Sequence, residues 1–83
     1  MRILDTDTDR AVVSAQMYLS PNEARELVEA LQQLLANPEA NAHDHLFSEK
    51  GGCEMSFSIV TEAKLANVES YTSREQRLLK HGK

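Results

Sequence analysis

The stretch SPNEARELVEALQQLLANP, residues Ser20 to Pro38, decides how this chain is read. Ser20 suits a helix N-cap, Pro21 the first helical position, and Glu23 completes a capping box. Ala24, Leu27, Val28, Leu31, Leu34 and Leu35 then recur at three- and four-residue spacing, with Arg25, Glu26, Glu29, Gln32 and Gln33 between them. That pattern predicts an amphipathic helix with one apolar stripe, packed against one surface. Asn37-Pro38 stops it, because the proline pushes Asn37 out of the helical region. Burial of the four leucines is worth about 6–10 kcal/mol of gross hydrophobic stabilisation.

Strand patterns flank the helix. Arg2 to Asp5 reads as a short strand, followed by a polar turn over Asp5-Thr6-Asp7-Thr8-Asp9. This alternation is superficially like a calcium loop, but it lacks the central glycine and distant glutamate of an EF-hand. Ala11 to Leu19 alternates, with Val13, Ala15, Met17 and Leu19 on one face and Val12, Ser14, Gln16 and Tyr18 on the other. Beyond the helix, His43 to Phe47 and Glu54 to Val60 read as strands joined by Ser48-Glu49-Lys50-Gly51-Gly52, where paired glycines permit positive φ. Met55, Phe57 and Ile59 share one face of the later strand. A turn or short helix follows from Thr61 to Leu65, and Thr72-Ser73-Arg74-Glu75 opens a last short helix anchored by Tyr71, Leu78 and Leu79.

The order is therefore β-β-α-β-β-α. The expected fold class is α+β, a single small domain over 1–83: a four-stranded antiparallel sheet with one main helix packed on one face and a short C-terminal helix. The chain has 83 residues, one cysteine, 13 acidic and 9 basic residues, and a net charge of −4. Such a small domain buries little surface, which makes self-association a fair expectation. A lone thiol fits a reducing cytoplasm. The basic residues Arg74, Arg77, Lys80 and Lys83 are too few to predict a nucleic-acid partner. No apolar run approaches the ~20 residues that span a bilayer, and the start of the chain is unlike a signal peptide.

The sheet face opposite the helix would carry Ser14, Gln16 and Tyr18 from one strand, with Ser56 and Ser58 from another. Two readings of it stand: a solvated face with cross-strand hydroxyl contacts, or a flat surface for another protein or a second copy of the chain. These five residues are the candidate partner-binding set. His43-Asp44-His45 is the one polar cluster. On a strand, both imidazoles point the same way, and Cys53 across the hairpin would complete a His-His-Cys metal set or pair with a histidine as nucleophile and base. No further ligand, oxyanion hole or phosphate loop accompanies them, so no catalytic residue, metal ligand or cofactor is expected.

Tyr18-Leu19-Ser20-Pro21-Asn22-Glu23-Ala24, Leu34-Leu35-Ala36-Asn37-Pro38-Glu39-Ala40-Asn41, His43-x-His45 and Glu54-Met55-Ser56-Phe57-Ser58-Ile59-Val60, in that order, resemble a group of short bacterial proteins, some described as immunity proteins of polymorphic toxin systems. The resemblance covers about half the chain and carries no functional residues with it. It implies a non-enzymatic protein that binds and neutralises a toxin domain; the acidic balance is compatible with a basic nuclease as that partner. The alternatives are a homodimeric bacterial protein and, more distantly, a His/Cys metal-binding protein.

Overall fold

Capping chemistry sets the boundaries of the principal helix in the computed structural model, which describes residues 1–83. Helix α1 spans Pro21–Ala36. The Ser20 hydroxyl accepts from the Glu23 amide at 3.1 Å, and the Ser20 amide donates to the Glu23 carboxylate at 2.8 Å. At the far end, the Asn37 amide donates to the Leu34 carbonyl and Pro38 prevents a further turn. The complete order is β1 (Leu4–Asp5), β2 (Arg10–Ala11), α1, β3 (Asp44–Phe47), β4 (Glu54–Phe57), α2 (Glu62–Ala66), a 3₁₀ turn over Val68–Ser70, and α3 (Ser73–His81).

The expected four-stranded sheet does not form. The strands make two separate two-stranded antiparallel sheets, β1-β2 and β3-β4, accompanied by three helices where one main helix and a short terminal one were expected. Each hairpin is closed by its own turn, and the strands are short. Leu4 pairs with Ala11 and Asp5 with Arg10. The last bond of this ladder runs from the Val12 amide to the Ile3 carbonyl. In that register residues 15–19 extend past anything β1 can oppose. The alternating segment Ala11–Leu19 therefore supplies only its first residue to a strand, and Val13 is 98% exposed.

The chain divides into two compact units. Residues Tyr18–Thr61 form one. Here α1 packs on β3. Asp44 and Leu46 of β3 and Met55 and Phe57 of β4 lie toward the interior, while His45, Phe47, Glu54 and Ser56 alternate outward. Leu46, 7% exposed, is the one buried residue of this unit. Leu27, Leu31 and Leu34 are half-buried, but Leu35 is exposed, so the gain from four buried leucines is not realised. The β3-β4 turn places Gly51 at φ 77° and Gly52 at φ 86°, the left-handed backbone that glycine adopts without a Cβ penalty.

The other unit joins Met1–Met17 to Glu62–Lys83. Asp5 accepts from the Asp7 and Thr8 amides, closing the first hairpin turn. The Asp-Thr repeat is thus an Asx turn. Helix α3 carries a second capping box, between Thr72 and Glu75, and ends on Gly82 at φ 72°. Its Leu78 and Leu79 are both buried. Arg74 donates from Nε and Nη2 to the Asp9 carbonyl and from Nε to the Asp9 carboxylate, fastening the β1-β2 turn to α3. Arg74 thereby leaves the terminal basic group, in which the sequence pattern places it, and becomes a structural tie.

A candidate binding face on the second hairpin

The outward side of β3-β4 gathers the most concentrated set of recognisable side chains. Its register sets His45 opposite Ser56 and Phe47 opposite Glu54. His43, just before β3, and His45 and Phe47 on it follow one another at every second residue and form a row. The His43 and His45 rings meet edge-on with centroids 5.0 Å apart. His45 and Phe47 stack at 5.9 Å with only 18° between their planes. His45 Nδ1 lies 3.0 Å from a Glu54 carboxylate oxygen, which fixes the imidazole plane at the middle of the row. Phe47 is 60% exposed, so the row ends on an open aromatic face.

A carboxylate latch holds this hairpin on its helix. Glu49, in the turn, accepts from the Ser20 hydroxyl at 2.7 Å and the Asn22 amide group at 2.9 Å. The Glu49 backbone amide donates to Glu23 at 2.9 Å. The Ser20 hydroxyl, followed by the Asn22 side chain, holds the Glu49 carboxyl below its ordinary range; the nearby Glu23 charge opposes this and Arg25 assists it. The backbone amide of Ser20, followed by that of Glu49, does the same for Glu23. Hydrogen bonds to the ionised form are the cause in both cases. Glu23 is therefore committed to the cap and latch, which leaves Glu26 and Glu29 as the open acids of α1.

Ser56 sits on β4 within this outward face, and Ser58 follows just past the end of that strand; both are exposed. Tyr18, 85% exposed, belongs to the same unit, whereas Ser14 and Gln16 belong to the other. No continuous four-stranded face aligns the five, because β2 stops at Ala11. Cys53 is exposed, and no group of three or more His, Cys, Asp or Glu side chains is arranged to hold a metal ion. The partner that His45 finds across the hairpin is Glu54, not Cys53.

Phe47 and Glu54 were absent from the residues the sequence suggested. The in-phase order His43, His45, Phe47 carried a signal for the first; nothing local signals the Glu49 latch, whose partners lie 26 to 29 residues away. No helix is long and apolar enough to cross a membrane. No protein-family model, curated protein or solved structure matches this chain, so the likeness to immunity proteins rests on its sequence pattern alone.

Proposed function

We propose that the chain is a non-enzymatic protein-binding module whose recognition surface is the outward face of β3-β4. The observation that carries this reading is the stacked row His43-His45-Phe47, ending on an aromatic ring that is 60% exposed although the chain has only two phenylalanines. Aromatic side chains are enriched at the centres of protein interfaces. Ser56 and Ser58 beside them are small, allow close approach and offer hydroxyl hydrogen bonds. The net charge of −4 favours a basic partner, with a toxin domain as the specific form suggested by the sequence resemblance.

The test is co-expression with the product of the reading frame adjoining the chain's own gene. The expected result is relief of toxicity and a complex that titration calorimetry detects with the wild-type chain. Phe47→Ala and His45→Ala should each weaken the complex at least tenfold with the helical circular dichroism unchanged. Undiminished binding by both variants would remove the hairpin face from the interface.

A further inference from the structure

The outer edge of β4 carries backbone groups that nothing in the chain satisfies. Antiparallel pairs alternate between those that exchange backbone hydrogen bonds and those that do not. The Ser48 amide donates to the Cys53 carbonyl at 3.0 Å, so these two form a bonded pair, and the register makes Leu46-Met55 and Asp44-Phe57 the next bonded pairs. Phe47-Glu54 and His45-Ser56 lie between them, and the amides and carbonyls of these four residues point away from the hairpin. On β3 that outward set is partly used: the His45 amide donates to the Asp44 carboxylate at 2.7 Å, and α1 packs on this strand. On β4 it is unused. The amides and carbonyls of Glu54 and Ser56 have no hydrogen-bond partner in the chain, and both residues are exposed. Edge strands are normally shielded by lysine, proline or a bulge. The strand Glu54-Met55-Ser56-Phe57 has none of these.

We infer that an extended segment of the protein partner adds to the hairpin along the β4 edge, bonding to the backbone of Glu54 and Ser56 and setting a lysine or arginine opposite Glu54. The inference rests on the reading of β3-β4 as the recognition surface and names the form of partner that surface takes. Backbone chemistry selects an extended segment, because amides and carbonyls at every second residue match only another strand. Charge selects its composition. Glu54 Oε1 is engaged by His45 Nδ1 at 3.0 Å, while Oε2 has no hydrogen-bond partner in the chain and the side chain is 54% exposed. A residue paired with Glu54 across the new ladder has its Cβ about 5 Å away, which brings a basic side chain within reach of Oε2. The net charge of −4 favours the approach of such a segment. A second copy of β4 would bring another glutamate and no basic residue, so the edge discriminates against self-pairing. Ser56, next along the edge, is small and leaves room for a large side chain opposite it.

Amide-water exchange, read by nuclear magnetic resonance on the full chain, tests this with two capped hexapeptide probes, one alternating threonine with lysine and one alternating threonine with glutamate. At millimolar concentration the lysine probe should slow exchange of the Glu54 and Ser56 amides at least about twofold, the effect of half-saturation, and the glutamate probe should leave both unchanged. No slowing by the lysine probe overturns the inference, as does equal slowing by the two probes. Ser56→Pro removes one outward N–H and spares the bonds between β3 and β4, so it should abolish the slowing at Glu54 while the hairpin persists; slowing that survives in the folded variant overturns strand addition. If Ser56→Pro does not fold, charge reversal decides: Glu54→Lys should transfer the effect to the glutamate probe, and an unchanged preference for the lysine probe refutes the pairing. A negative result removes this mode of binding and leaves the effect of Phe47→Ala and His45→Ala on the complex to decide the hairpin face itself.

Discussion

Leu46→Ala tests the packing of α1 on the hairpin most directly. Leu46 is the one buried residue of its unit, with an exposure of 7%, and it lies on the face of β3 that meets α1. Truncations of buried leucine cost about 2–5 kcal/mol, the value rising with the cavity left behind. Met55, its cross-strand partner, and Phe57 on the same side of the hairpin are only half-buried. They can relax into the space, which puts the cost in the lower half of that range, about 2–3 kcal/mol. A domain of 83 residues has a total stability of about 4–12 kcal/mol, and this one, with three buried hydrophobic residues, belongs near the bottom. The substitution should therefore remove about half of the stability. Urea unfolding at fixed protein concentration, followed by far-ultraviolet circular dichroism, reads it: with a slope of about 1 kcal/mol per molar urea, the midpoint should fall by about 2–3 M. Phe47→Ala, one residue away on the outward face, should change stability by no more than about 0.5 kcal/mol. A midpoint shift below about 1 M for Leu46→Ala, or equal losses for both variants, would refute the packing.

Other perturbations address the latch, the caps and the Arg74 tie. Glu23 and Glu49 are both held below the ordinary glutamate value of 4.5 in the folded chain, so the stability they contribute is complete above that value and is lost as pH falls through their lowered folded values. Acid titration of the wild type should loosen the hairpin from α1 in that window, and Glu23→Gln/Glu49→Gln should flatten the pH dependence; an unchanged profile would rule out the latch. Ser20→Ala should cost more than Thr72→Ala in chemical denaturation, because each removes a cap worth about 1 kcal/mol but only Ser20 also donates to Glu49; the reverse order counts against the Glu49 contact. Arg74→Ala should lower protection of the Val12 amide in hydrogen exchange by about tenfold, since hydrogen bonds to a charged group contribute about 1.5–3 kcal/mol and Asp9 is largely open to solvent; full protection would show that the β1-β2 hairpin stands without the tie.

Local chemistry was legible in the sequence wherever the partners are neighbours in the chain. Both capping boxes, the stop at Asn37-Pro38, the Asx turn after Asp5 and the glycine turn at Gly51-Gly52 involve groups a few residues apart. A side chain and a backbone amide at that range can meet without help from distant parts of the chain, so residue type and spacing carry the signal. Alternation likewise anticipated that His43 and His45 lie side by side, although His43 precedes β3, and that Met55 and Phe57 share a face of β4. It also suggested a strand from Ala11 to Leu19 that is not there, because alternation states which face each residue would take but not whether a partner ladder reaches it.

Tertiary structure alone decided how those pieces combine. Two hairpins close on themselves where a four-stranded sheet was expected, since each turn pairs its own short strands. The Glu49 latch and the Arg74-Asp9 tie link residues 26 to 65 positions apart, and no local pattern encodes such contacts. The same holds for the division of α1's stripe. Periodicity identifies all six apolar positions, but only the packing on β3 leaves Leu27 and Leu34 half-covered while Val28 and Leu35 face solvent. A helix presents its whole stripe at once, and the width of what lies against it determines how much is covered.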